Sequence, residues 1–96
     1  MSQIQNLREY IQEICNTEKL VSLADVIAIF DCRQHCIPTL NEIQHAIKGI
    51  DSICITRSED GVFLKLGSST SEIDSSQISE KDMEKAYSSY RKLLKR

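Results

Sequence analysis

The sequence has no tryptophan, one proline and only three glycines among its 96 residues. Small barrels and jelly rolls depend on many turns rich in glycine and proline, so this composition argues against both architectures. The longest apolar run, residues 26–30, is far shorter than the roughly 20 residues that span a bilayer. The first ten residues also lack the basic-then-apolar order of a signal peptide, so we expect a cytoplasmic protein.

What is present fits one ordinary globular domain. Hydrophobic residues make up 41% of the chain and charged residues 27%, which is typical of a protein with a modest core. Four cysteines occur (Cys15, Cys32, Cys36 and Cys54), and without a secretory signal we expect them to be reduced.

The formal net charge of −2 is unevenly distributed. Residues 1–79 contain six Lys and Arg against eleven Asp and Glu, whereas residues 80–96 contain six against three. An acidic body with a basic tail is not the usual charge pattern of a nucleic-acid-binding domain.

Apolar residues at three- and four-residue steps predict an amphipathic helix over residues 3–15, and residues 20–21 suggest a short strand. Ser22 with Asp25 predicts the capped start of a second helix. Pro38 disfavours continuation of that helix, and Thr39 with Glu42 predicts the capping box of a third.

The pattern then changes to alternation. Residues 52–57 and 62–66 each alternate apolar and polar side chains, and the Asp60-Gly61 pair between them predicts a β-hairpin. The fold class indicated is therefore α+β, a winged helix-turn-helix over residues 1–66. A serine-rich, flexible linker is predicted over 67–79, and an amphipathic C-terminal helix over 80–96 that packs on the domain or contacts a partner.

A metal site is the first chemical candidate. Cys32, His35 and Cys36 are close in sequence, and Cys54 or His45 could complete a zinc tetrahedron. Structural zinc sites usually combine two short Cys/His pairs, and only one is present. We therefore expect no metal and no cofactor, and interpret the cysteines as structural.

Catalysis is the second candidate, and the sequence gives it little support. His35 is too near Cys36 in sequence to act as an ordinary base for it, and no glycine-rich turn supplies an oxyanion site. Asp25 and Glu42 already have capping roles. We expect a protein that is not an enzyme.

Nucleic-acid binding is the main alternative, since winged helices often place their third helix in the major groove. The cations available for it are Lys48, Arg57, Lys65, Arg91, Lys92, Lys95 and Arg96. Glu59 and Asp60 at the predicted wing tip would repel phosphate. This alternative would place the protein in the nucleus. Contact with an anionic membrane is conceivable only through the basic tail.

Three stretches carry a resemblance to a known family: LVSLADVIAIFDCR (20–33), TLNEI (39–43) with Ala46 after it, and SEDGV (58–62). Together they resemble the first winged helix of the GLUE-domain-bearing subunit of the ESCRT-II endosomal sorting complex. The resemblance implies a scaffold role in sorting ubiquitinated cargo, with other subunits docked on the winged helix. It implies no catalytic residues.

The function we predict is a non-catalytic protein–protein interaction module, a subunit of a larger assembly. Its expected contact surface combines the exposed side of the third helix with the wing. The residues predicted to bind the partner are Asn41, Gln44, His45, Lys48, Arg57 and Lys65.

Overall fold

Residues 3–67 and 73–94 are described by the structure, a computed structural model. In chain order the elements are α1 (Gln3–Thr17), β1 (Val21–Ser22), α2 (Leu23–Gln34), α3 (Leu40–Lys48), β2 (Ile53–Ser58), β3 (Gly61–Leu66), a 3₁₀ turn (Ser75–Gln77) and α4 (Glu80–Leu94). This part of the chain therefore has a mixed α+β fold, with four α-helices and one three-stranded antiparallel sheet.

The predicted capping boxes of α2 and α3 are both confirmed. The N–H of Asp25 donates to the Ser22 hydroxyl, and the N–H of Ser22 donates back to the Asp25 carboxylate, each at 3.2 Å. Thr39 and Glu42 form the same reciprocal pair at the start of α3. Each box satisfies backbone donors that have no partner within the helix, which fixes where the helix begins.

The sheet has the order β1-β3-β2, so the last strand lies in the centre. Leu64 is flanked by Val21 on one side and Ile55 on the other. The predicted hairpin is confirmed, with Glu59 and Asp60 at its tip. Gly61 has φ +121°, a conformation that side-chain-bearing residues rarely adopt, which explains the glycine at this turn.

One hydrophobic core joins the helices to the inner face of the sheet. Its fully buried side chains come from every helix except α4, from β1 and β3, and from the segment before α4: Leu7, Ile11, Val21, Leu23, Val26, Ile27, Phe30, Ile43, Ile47, Leu64 and Ile78. α4 adds Met83, Ala86 and Tyr90 at the edge of this core. The Tyr87 hydroxyl donates to the Pro38 carbonyl at 2.8 Å, which ties α4 to the entrance of α3.

The segment predicted as a flexible linker is anchored at its described end. Residues 68–72 lie outside the described residues, but Ile78 is only 1% exposed within the core. The N–H of Ile73 donates to the Ile55 carbonyl at 3.3 Å. Six serines dominate the composition of 67–79, but Ile73 and Ile78 among them lie against apolar neighbours and fix this end of the segment.

Candidate interaction surface

The exposed side of α3 carries three of the residues predicted to bind a partner. Asn41, His45 and Lys48 are all exposed, and we call these three the α3 surface. The opposite side of the helix is buried through Ile43, Ala46 and Ile47. The period of 3.6 residues thus separates the two sides as predicted.

A side chain from α1 holds the end of α3 in place. The guanidinium of Arg8 donates to the Ala46 carbonyl at 3.2 Å and to the His45 carbonyl at 3.3 Å. These carbonyls belong to the last turn, where backbone donors are scarce, and the Ala46 carbonyl also accepts from the Gly49 N–H at 3.3 Å. A Cβ on Gly49 would lie only 2.3 Å from the Arg8 guanidinium carbon, so glycine permits this close approach. No local sequence pattern reveals this contact.

Gln44, also predicted to bind a partner, has a structural role. Its amide donates to the Ile78 carbonyl at 2.8 Å and to the Ser76 carbonyl at 3.5 Å. These bonds hold the 3₁₀ turn against α3. Gln44 is therefore bonded within its own chain, which its prediction as a partner-binding residue did not anticipate.

Beside this contact lies a shallow recess of about 180 Å³, which we call the α3 recess. Its lining consists of Gln44, His45, Lys48, Ser75 and Ser76. A second recess of about 190 Å³ shares Lys48 and Ser75 with it, and is floored by isoleucines of α3, the sheet and the segment after it. A combination of isoleucines and polar groups is found in protein-binding patches.

Arg57 is also bonded within the fold. Its guanidinium donates to the Gln77 carbonyl at 2.5 Å and to the Asp82 carboxylate at 2.9 Å. The side chain of Asp82 is 12% exposed and that of Arg57 is 42% exposed. Arg57 thus links β2 to the start of α4, which leaves its charge largely neutralised.

Several neighbouring groups contact the Asp82 carboxylate and change its pKa. Burial raises its pKa, but hydrogen bonds from Ser79 and the nearby Arg57 guanidinium outweigh burial, so the pKa lies below its ordinary value of 3.8. Ser79 and Asp82 also bond reciprocally, which caps the start of α4.

Lys65 does not join the α3 surface. In β3, Val62 and Leu64 face the core, so Lys65 points from the other face of the hairpin, because side chains alternate along a strand. Arg57 is paired with Val62 across the hairpin and therefore shares the inner face. Lys65 instead lines a recess with residues 15–19.

The cations named for nucleic-acid binding are similarly dispersed. Arg91 and Lys92 are exposed on α4, whereas Lys48 lies at the end of α3. Lys95 and Arg96 lie outside the described residues. Arg57 is paired with Asp82, so Lys48 is the one predicted cation within the described α3 surface.

The four cysteines have different surroundings. Cys32 is exposed and Cys36 half-buried, whereas Cys15 and Cys54 are buried. Burial raises the pKa of the Cys15 thiol, which keeps it protonated and unreactive. Among residues 3–67 and 73–94, no three His, Cys, Asp or Glu side chains are grouped so that they could hold a metal ion.

Comparison with protein-family models, with curated proteins and with solved structures gave no match to this chain. Within the described residues, the helices are too short or too polar to cross a bilayer.

Proposed function

We propose that this chain is a winged-helix module that binds another protein subunit within a larger assembly, without catalysing a reaction. The order of elements supports the winged-helix assignment: two helices and a short strand precede α3, and a hairpin follows it. The short β1 pairs with the hairpin, as the small first strand of a winged helix does.

The protein-binding proposal depends on which polar groups around α3 are bonded within the chain and which remain exposed. Gln44 and Arg57 bond to the segment before α4, and Arg57 also bonds to Asp82 in α4, so both residues stabilise the fold. His45 and Lys48 remain beside the α3 recess, and the recess next to it is lined by isoleucines together with polar groups. Such a mixed surface favours binding to a protein over binding to a nucleic acid, because a phosphate backbone requires several unpaired cations.

The 3₁₀ turn gives further support. It lies against α3 through Gln44 and occupies one flank of the helix. The major groove of B-DNA is about 12 Å wide and admits one helix, so a segment packed on the flank of α3 disfavours its insertion. The predicted wing tip also presents Glu59 and Asp60 to any phosphate nearby.

The proposal is tested by photo-cross-linking. A photoreactive residue at His45 should capture a protein from extracts of the source organism, and Lys48→Glu should abolish that capture. A photoreactive residue at Lys19 is the matched control, because Lys19 is exposed after α1 and outside the α3 recess. The resemblance to the ESCRT-II subunit makes endosomal sorting subunits the first partners to look for among the cross-linked products.

The alternative function, nucleic-acid binding, is tested by a separate experiment. A gel-shift titration with duplex DNA at two salt concentrations would show a steep loss of affinity with salt if phosphate contacts dominate. Salt-sensitive binding that Lys48→Glu weakens, together with no protein captured at His45, would overturn the proposal.

A further inference from the structure

One stripe of residues on α4 changes from acidic at the start of the helix to basic towards its end. At steps of four and three residues it carries Glu80, Glu84, Tyr87, Arg91 and Leu94. These steps keep the side chains on one side of the helix. The first half of the stripe is acidic, and the second half is basic and apolar. We call these five residues the α4 stripe.

The charges of the stripe are not used within the described chain. Glu84 and Arg91 are exposed and form no ion pair with residues 3–67 or 73–94. Glu80 and Glu84 are like charges four residues apart, an unfavourable arrangement in a helix. Leu94 is 63% exposed at the far end.

The acidic half of the stripe borders a recess of about 270 Å³, the α4 recess. Its lining consists of Thr39, Leu40, Glu80, Met83, Glu84 and Tyr87. Burial raises the pKa of Tyr87, and the charge of Glu42 raises it further. The contribution of Glu42 indicates that the surroundings of the α4 recess are negative. The recess therefore fits an apolar side chain accompanied by a cation.

The helix dipole alone does not explain this sorting. Acidic residues at the start and basic residues at the end do complement the dipole. However, Lys81 and Lys85 occupy the start of α4 as well, against the dipole, and both fall off the stripe. The change of sign from one end to the other is a property of the stripe.

We propose that two copies of this chain associate through antiparallel packing of their α4 stripes. In a register centred on Tyr87, Leu94 of one copy enters the α4 recess of the other. Arg91 of each copy then lies opposite Glu84 of the other. The stripe, about 22 Å long at 1.5 Å per residue, is thus complementary to itself.

The α4 recess is complementary to the end of α4 in a second copy of this chain. The α4 recess requires an apolar residue with a cation one turn away, and the exposed end of α4 supplies both in Leu94 and Arg91. Two-fold pairing uses the same patch on both copies, so the contact closes after two chains. None of the three residues of the α3 surface belongs to the stripe or lines the α4 recess.

The test is a charge exchange followed by sedimentation equilibrium of the full chain. Wild type should shift from 10.9 kDa toward twice that mass as its concentration rises. Glu84→Arg or Arg91→Glu alone should raise the dimer dissociation constant about tenfold or more, because like charges then face each other. An equimolar mixture of the two single variants should restore the dimer, since each Arg then faces a Glu again.

Two matched controls separate the stripe from general effects. Lys92→Glu makes the same charge change as Arg91→Glu, about 100° further round the helix, and should leave the dimer intact. Leu94→Gln should weaken the dimer, whereas Leu93→Gln should not. Circular dichroism of each variant reports folding independently. A wild type that stays at 10.9 kDa up to its solubility limit, or a mixture that stays monomeric, overturns the proposal.

Discussion

The α3 surface and the α4 stripe are both exposed sides of a helix, but their surroundings use charge differently. Near α3, Arg57 is bonded to Asp82 and Gln44 to the Ile78 carbonyl, so polar groups there hold the fold together. Along α4, Glu84 and Arg91 have no ion-pair partner within the described residues.

This difference separates residues that hold the fold in place from residues that are able to bind another molecule. A polar group that is bonded within the chain stabilises a particular arrangement of elements, and its removal should lower the free energy of unfolding. A group with no internal partner contributes little to folding and remains able to contact another molecule. Stability measurements should therefore distinguish the two kinds of residue around α3.

The largest expected effect comes from the apolar anchor of the segment that lies against α3. Ile78→Ala should lower the free energy of unfolding by about 2–5 kcal/mol, because Ile78 is fully buried. Urea unfolding followed by circular dichroism measures this. Ile37→Ala is the matched control at an isoleucine that is 47% exposed, and it should cost much less. Equal losses in the two variants would show that residues 73–79 are not anchored.

A smaller effect is expected at the carboxylate that joins the hairpin to α4. Asp82→Ala removes a helix-capping bond and the contact with Arg57, which together should cost about 1–2 kcal/mol at neutral pH. Asp82→Asn retains an acceptor for Ser79 without the charge, so its loss should be smaller. Urea unfolding at pH 7 ranks the three proteins.

The same carboxylate predicts a pH dependence with a definite sign. Because the pKa of Asp82 is lowered in the folded state, its contribution to stability is present above about pH 4 and is lost as pH falls through the folded pKa. The stability difference between wild type and Asp82→Asn should therefore shrink as the pH falls from about 4 through the lower folded-state pKa. A difference that persists unchanged at low pH would contradict the role of the ionised form.

Much of the secondary structure could be predicted from local sequence, and the reason is physical. The Ser22–Asp25 and Thr39–Glu42 boxes span three residues, and the Asp60-Gly61 turn spans two, so each is visible in a short window. Their periodicities are equally local. The end of α1 at Thr17 differs from the prediction by two residues, as expected for a helix terminus.

The candidate site was less predictable because its contacts are distant in sequence. Gln44 meets Ile78 across 34 residues, and Arg57 meets Asp82 across 25. No local pattern identifies which exposed polar residue will find such a partner. The placement of Lys65 on the opposite face from Arg57 could have been inferred from strand alternation, given the register of the hairpin.

A further prediction tests the bond that holds the 3₁₀ turn. Gln44→Ala should lower the free energy of unfolding by about 0.5–1.5 kcal/mol, because the Ile78 carbonyl loses its donor. Asn41→Ala is the matched control on the same helix, since Asn41 is exposed. Thermal unfolding of both variants in parallel measures the difference. If Asn41→Ala costs as much as Gln44→Ala, the hydrogen bond is not what stabilises this contact.

The smallest effect on folding is expected at the two residues that the proposed function depends on most. His45→Ala and Lys48→Ala should each change the free energy of unfolding by less than about 0.5 kcal/mol, because both side chains are exposed beside the α3 recess. Chemical unfolding measures this, and protein capture by a photoreactive residue at Asn41 measures recognition in the same variants. Loss of capture with unchanged stability would mark His45 and Lys48 as recognition residues, whereas a parallel loss of both would place them with Gln44 among the residues that hold the fold.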